Sequence, residues 1–362
     1  MKRKLRVAIL FGGKSAEHEI SLLSAKSIFE AIDKEKYDIL LIGISKGGEW
    51  ILQEGPLVRW PKAITARSPG QRVALVAGKR EAHLVTLAGA RRMARVVDVV
   101  FPVLHGPFGE DGTMQGLLKL ADVPFVGAGV TGSALGMDKD VMKRLLRDAG
   151  IRTAKFLTLH RSSEAQIGFV EAQRELGLPL FVKPANLGSS VGIAKVKNQS
   201  EFERAVRDAF RYDRKILVEE CIQGRELECS VLGNDNPIAS LPGEIIPQRD
   251  FYSYEAKYLD ERGALLKIPA ELPHEVVKEV QQTAVKTFET LCCEGMARVD
   301  FFLRDGLEVV VNEINTIPGF TKISMYPKMW EASGISFTEL VDRLIELAIE
   351  RFAREKRLKT SR

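Results

Sequence analysis

The sequence predicts a mixed protein, with an α/β N-terminal domain on a parallel sheet followed by two α+β units. Two observations carry this. In the first third, strand-like apolar runs ("LRVAILFGG", "YDILLIGIS", "VVDVVFPVLHG", "VPFVGAG") alternate with segments of helical period ("SLLSAKSIFEAI", "GTMQGLLKLA"), the pattern of a parallel sheet wrapped by helices. Beyond the helix "GMDKDVMKRLLRDAG", which Gly150 ends, strands instead follow one another through loops. We place the domain limits at 1–126, 127–222 and 223–362.

Taken in order, residues 56–92 interrupt the first domain. They are basic and punctuated by Gly and Pro, and read as a surface insertion without chemistry. The second unit holds the strand "AKFLTL", the helix "EAQIGFVEAQRELG", the strands "LPLFVKPA" and "VGIAKV", the helix "SEFERAVRDAF" and the strand "KILVEECI". The third holds "RELECSVLG", a polar stretch from Gln248 to Leu266, the helix "HEVVKEVQQTAVKTFETL", and the strands "ARVDFFL" and "LEVVVNEI". "RDG" sets a hairpin turn between that last pair, and a C-terminal helix closes the chain.

A chain of 362 residues, 45% apolar, is long enough for two or three cores. Its net charge of +5 is concentrated in the ends, "MKRKLR" and "RFAREKRLKTSR", which lack the interleaved aromatics of a nucleic-acid surface. A nucleotide-sized polyanion suits this balance better, and we expect no nucleic-acid partner. The four cysteines show no C-x-x-C spacing and no accompanying histidine pair, which argues against zinc and for a reducing cytoplasm. No secretory leader and no membrane-length apolar run is evident, so no membrane association is expected.

The chemistry concentrates in three stretches. In "VVVNEINTIPGF", strand alternation sets Val309, Val311, Glu313 and Asn315 on one face, with the last two about 7 Å apart. Burying that carboxylate and amide without a partner would cost several kcal/mol, so a cation is expected there. The preceding "RVDFFLRDG" brings Arg298 and Asp300 back toward them, with unequal offsets that require a bulge or a diagonal contact. These oxygen donors suit Mg²⁺ shared with substrate phosphates; an ion pair of Arg298 with Asp300 or Glu313 fills the same gap without metal.

In "LFVKPANLGSSVGIAKV", a Gly-Ser-Ser loop joins two strands. Small residues there let backbone N–H groups approach an anion, though such a loop also serves as a plain turn. Lys183, in the apolar strand before it, needs an anionic partner such as a phosphate. "AILFGGKSAEHEIS" imitates a P-loop, but Ala8 stands where the first glycine belongs. Glu17 and Glu19 would repel a triphosphate and suit a substrate ammonium, or simply favour the first helical turn.

With "HGPFGEDGTMQGLL", "GMDKD", "YSYEAKYL" and "NEINTIPGFTKISMYP" added in order, the chain from Arg6 to Leu347 resembles the D-alanine–D-alanine ligases of the ATP-grasp superfamily. The resemblance implies a Rossmann-like preATP-grasp domain and a two-subdomain ATP-grasp fold. It further implies ATP as co-substrate, two Mg²⁺ ions (Mn²⁺ in their place), and a homodimer acting on D-alanine for peptidoglycan precursor synthesis.

By that resemblance Lys139, Lys183 and Ser190 contact ATP phosphates, Glu219 and Glu226 hold adenine and ribose, and Lys257 reaches the γ-phosphate. The metal ligands are Asp300, Glu313 and Asn315. Glu17 binds the first ammonium and is linked to Ser189 and Tyr258, while Arg298 and the Gly319 N–H stabilise the oxyanion. Ser324 and Met325 receive the second D-alanine. His105 lines the first amino-acid pocket or holds its loop. Glu220 departs from relatives that carry lysine there, which weakens the adenine assignment. The polar stretch and the Gly-Ser-Ser loop would act as lids. Competing readings are a D-alanine–D-lactate ligase, disfavoured by the intact Lys257 and Tyr258, another ATP-grasp ligase, and a nucleotide-binding module without turnover.

Overall fold

A computed structural model of the chain describes residues 3–53, 60–78, 82–87, 94–162, 167–247 and 264–359. Lys257, Tyr258 and the polar "YSYEAKYL" stretch lie outside them.

The N-terminal unit comprises β1 (Leu5–Gly12), α1 (His18–Ala31), β2 (Tyr37–Ile44), β3 (Trp50–Leu52), β4 (Gln71–Ala77), β5 (Ala82–Thr86), β6 (Ala94–Val97), β7 (Val99–Val103) and α2 (Thr113–Leu120). They form a seven-stranded sheet in the order β6-β5-β4-β3-β2-β1-β7. Only β2, β1 and β7 are parallel; from β3 onward the pairing is antiparallel. β1 lies between its two parallel neighbours β2 and β7 and is covered on both faces, hence its unbroken apolar run from Val7 to Phe11, all at most 1% exposed. The expected strand at 123–127 is reduced to one parallel bridge between Val100 and Phe125. Residues 56–92 correct our reading too. Their described part includes β4 and β5, whose half-exposed pattern of mixed polar and apolar residues conceals an antiparallel extension of the sheet.

After α3 (Val130–Met137) and α4 (Lys139–Asp148), the central unit is built from β8 (Phe156–His160), α5 (Phe169–Leu176), β9 (Leu180–Pro184), β10 (Ala194–Val196), α6 (Gln199–Ala209) and β11 (Lys215–Glu220). Its four strands pair antiparallel in the order β10-β9-β11-β8 around a separate apolar cluster. The Asp138 side chain caps α4 by accepting from Val141 N–H at 3.1 Å. Gly150, at φ +70°, follows its end.

The last unit comprises β12 (Gly224–Gly233), β13 (Ile238–Ala239), β14 (Gly243–Pro247), β15 (Ala264–Lys267), α7 (His274–Thr290), β16 (Gly295–Arg304), β17 (Glu308–Asn315), α8 (Met325–Ala332) and α9 (Phe337–Glu355). The sheet runs β15-β14-β12-β16-β17, with β13 beside β12. One face packs on α7 and on Met142 and Leu146 of α4. On the other side, α8 and α9 share a single apolar cluster with β1, α1 and β7 of the N-terminal sheet.

Candidate active site

The register of β16 on β17 shifts between Asp300 and Phe301, so that Asp300 opposes Glu313 while Phe301 opposes Val311, leaving Asn312 bulged. This corrects the facing read from the sequence. Val309, Val311 and Ile314 pack in one cluster with Val299 and Phe301. The extra residue reverses the alternation, so Glu313 and Asn315 point away from Val309 and Val311. On that opposite face they stand beside Arg298 and Asp300, which pair with Asn315 and Glu313 respectively.

Two cations balance these acids. Arg298 grips Asp300 with two hydrogen bonds, Nε to Oδ1 at 2.7 Å and Nη2 to Oδ2 at 2.8 Å, and its Nε also lies 2.9 Å from Glu228. Asn315 Nδ2 donates to Asp300 Oδ2 at 3.0 Å. From the far side, Lys139 Nζ donates to the Leu187 carbonyl at 2.7 Å and lies 3.2 Å from Glu313 Oε2. A cluster of two carboxylates and one amide offers only hard oxygen donors, which fits Mg²⁺ completed by phosphate oxygens and not zinc. Glu110 and Gly188 line the same cleft with Lys139, Glu313 and Asn315.

Behind the cleft lies a second ionic cluster. Lys183 Nζ donates to Glu219 Oε1 at 2.6 Å, and Lys143 Nζ sits 3.1 Å from Glu219 Oε2, with the Lys143 side chain fully buried. Burial alone would raise the Glu219 carboxyl, but the ammonium groups of Lys143 and Lys183 outweigh it and hold the group below its usual range. Lys143 escaped the sequence reading, although its signal was there: it is four residues after Lys139 on one helix face. Glu220 points elsewhere, accepting from Lys155 N–H at 2.8 Å and pairing with Arg304 at 3.3 Å. Glu226 is half-buried on β12.

At the opposite end, Ser189 Oγ donates to the buried Glu17 carboxylate. Ser189 and Ser190 both adopt left-handed backbone, at φ 52° and 60°, a geometry that turns successive N–H groups toward one side. Gly106, at φ +74°, is required as glycine, since a Cβ there would come within 2.6 Å of Glu17 Oε2.

His105 uses both ring nitrogens inside the protein, Nδ1 on the Ile317 carbonyl at 2.9 Å and Nε2 on Ser24 Oγ at 3.1 Å. It therefore holds a loop. Burial lowers its pKa and keeps the ring neutral. Glu110 accepts from Gly106 N–H at 2.6 Å and from Ile317 N–H at 3.0 Å; burial, with Glu17 nearby, pushes its carboxyl up to about 8. Neither Ser24 nor Glu110 was singled out from the sequence, because each acts across a long separation in the chain.

A Cβ on Gly319 would lie 2.8 Å from Ser324 Oγ, which itself accepts from Thr321 N–H at 3.0 Å. Ser324 occupies the N-cap of α8 without capping it, so the helix start keeps donors to offer. The Met325 side chain is buried against Ile245 and Met329, leaving its backbone as the part able to meet a substrate.

Residues 6–128 match the family described as D-ala D-ala ligase N-terminus, and residues 145–346 match D-ala D-ala ligase C-terminus. The chain is 53% identical over 363 residues to a D-alanine–D-alanine ligase of Oceanobacillus iheyensis, covering 99% of each. The D-alanine–D-alanine ligase structure from Coxiella burnetii superposes with a TM-score of 0.87 at 43% identity, covering 98% of this chain and 96% of that one. The Bacillus anthracis ligase complexed with ATP superposes with a TM-score of 0.73 at 26% identity, covering 97% and 99%. The chain belongs to the D-alanine–D-alanine ligase family.

Proposed function

We propose that this chain joins two D-alanine molecules into D-alanyl-D-alanine, converting ATP to ADP and phosphate, as a step toward peptidoglycan precursors. The observation that supports it most is the oxygen-donor face of Asp300, Glu313 and Asn315 set across a cleft from Lys139, with Glu17 and Ser189 at the cleft's other end. We take it to act as a homodimer in the cytoplasm, with domains at 1–126, 127–222 and 223–362.

Asp300, Glu313 and Asn315 would hold two Mg²⁺ ions, or Mn²⁺, which when bound supply positive charge to the triphosphate. Lys139, Lys183 and the N–H groups around Ser190 hold the phosphates, and Glu219 and Glu226 face the nucleoside. Glu17 receives the first ammonium and Ser189 orients Glu17. The first carboxylate oxygen attacks the γ-phosphorus, the bond to ADP breaks, and an acyl phosphate forms; Lys257 and Arg298 neutralise the transferring charge. The neutral amine of the second D-alanine, its carboxylate held by Ser324 and the Met325 N–H, attacks the acyl carbon. Arg298 and the Gly319 N–H stabilise the tetrahedral oxyanion, the acyl–oxygen bond breaks, and phosphate leaves, taking up the proton that the attacking nitrogen sheds. Tyr258, outside the described residues, is given the role of closing the site against water, which would hydrolyse the acyl phosphate.

Mass spectrometry after incubation with ATP, Mg²⁺, D-alanine and D-lactate at neutral pH tests this. The expected product is D-alanyl-D-alanine with one ADP per peptide. Predominant ester of D-alanine with D-lactate, or no D-alanine-dependent phosphate release from folded protein, would overturn it.

A further inference from the structure

The loop Ile317–Phe320 carries the Gly319 N–H, and two of its peptide planes are tied to the N-terminal unit through one hydrogen-bond chain. Phe320 N–H donates to Ser24 Oγ at 3.2 Å, Ser24 Oγ lies 3.1 Å from His105 Nε2, and His105 Nδ1 lies 2.9 Å from the Ile317 carbonyl. The direction of every proton follows. A carbonyl only accepts, so Nδ1 carries the hydrogen. In the neutral ring Nε2 is then the acceptor, and Ser24 must donate its hydroxyl to it while receiving Phe320 N–H on a lone pair.

Ser24 is fully buried in the middle of α1. A helical serine ordinarily returns its hydroxyl to the preceding turn, as Ser27 does to the Leu23 carbonyl at 3.2 Å. Ser24 instead spends its donor on His105 of its own unit and an acceptor on the Phe320 N–H of the C-terminal unit. The anchored planes are Ile317–Pro318, through its carbonyl, and Gly319–Phe320, through its N–H. They bracket the Pro318–Gly319 plane, which carries the Gly319 N–H. The Phe320 ring locks the same end, with its centroid 6.0 Å from Phe101 and 5.4 Å from Tyr326.

We propose that Ser24 and neutral His105 form a relay that sets the direction of the Gly319 N–H, making Ser24 a positioning residue for the acyl-transfer step. This rests on Gly319 being the oxyanion donor. A donor that stays present but loses its aim costs less than a deleted one. Ser24→Ala should lower kcat about tenfold and leave KM for ATP and the first D-alanine within about twofold.

The test uses a phosphinate analogue of D-alanyl-D-alanine, whose tetrahedral P–O⁻ imitates the intermediate. Labelling proline carbonyls with ¹³C and glycine amides with ¹⁵N isolates the three Pro-Gly pairs, at Gly70, Gly243 and Gly319. In wild-type protein the Gly319 amide should move on phosphinate binding. In Ser24→Ala that response should shrink, and the phosphinate should bind about tenfold more weakly while the KM values hold. An unresponsive wild-type Gly319 amide overturns the oxyanion assignment, and the relay with it. A responsive amide combined with unchanged kcat in Ser24→Ala, or with kcat and both KM values degraded together, overturns the relay alone.

Should Ser24→Ala unfold, the His105 pair decides. His105→Gln keeps one donor and one acceptor and should retain more kcat than His105→Leu; equal loss in both sinks the relay.

Discussion

The N-terminal unit meets the rest of the molecule along two seams built in opposite ways. Toward the C-terminal unit the seam is dominated by one continuous apolar cluster, which runs from Val7, Phe11 and Phe101 through Phe320, Tyr326 and Trp330 into Leu344 and Ile345 of α9, with the polar ties of Ser24, His105 and Glu110 set into it. Arg351 stitches it by donating to the Gly127 and Phe125 carbonyls. Toward the central unit the seam is polar, with Ser189 donating to Glu17, while nearby Lys139 of α4 binds the Leu187 carbonyl. The central unit keeps its own closed core. An apolar seam holds two bodies in one geometry, because water re-entry costs roughly 25 cal/mol for every Å² opened. A polar seam exchanges partners at little net cost. Glu17, which receives the substrate ammonium in our reading, therefore sits on the seam whose partners exchange most easily, with Ser189 beside it to orient it.

The sharpest way to break this contrast is Glu313→Ala. It removes the carboxylate opposite Asp300 without touching the apolar seam, and Lys139 retains the Leu187 carbonyl. Turnover should fall by on the order of a thousandfold, while the midpoint of thermal unfolding moves little. Activity within tenfold of wild type, measured as ADP release, would contradict the metal assignment.

Leu344→Ala should act in the reverse sense. Leu344 is fully buried where α9 meets the N-terminal sheet, and its truncation should cost about 3 kcal/mol of stability. Below the unfolding transition kcat should stay close to wild type. A large kcat loss in fully folded protein would mean that the apolar seam is not merely a fixed frame.

The polar chemistry was less legible in the sequence than the frame. The apolar run of β1 and the Gly150 stop of α4 depend on neighbours within a few residues, and strand and helix patterns display them directly. The bulge in β17 was foreseeable from the unequal offsets of Asp300 and Glu313 about the "RDG" turn. Its consequence was not, because counting faces through Asn312 as though the strand were regular puts Glu313 with the valines. Ser24, Glu110 and Glu228 gain their roles only when distant segments close on them, and a buried serine at mid-helix looks like any small residue packed against a sheet. β4 and β5 lie outside the parallel group of β2, β1 and β7, with one side toward water, so neither a continuous apolar run nor a helical stripe marks them.

The smallest effect should come from the ionic fastening of the central unit itself. Lys215 Nζ on β11 lies 2.6 Å from Asp138 and 3.2 Å from Asp140, and Thr158 Oγ1 of β8 donates to Asp140 at 2.8 Å. Asp138 and Asp140 stand at the start of α4, which packs into the C-terminal core through Met142 and Leu146. Burial raises the Asp140 carboxyl, but hydrogen bonds from Arg144, Thr158 and Lys215 outweigh it and leave the folded pKa below the ordinary 3.8. A depressed carboxyl contributes its stability above the unfolded pKa and loses it as pH falls through the folded one. Wild-type protein should therefore loosen in the central unit below about pH 4, as this carboxylate takes up its proton. Asp140→Asn should lack that acid limb. Hydrogen exchange reads it most directly: between neutral pH and pH 3, amides of β8 and β11 should lose protection relative to β1 in wild type and less so in the variant. Parallel losses in β1 and β11 would show that acid opens both seams together, and the contrast between them would fail.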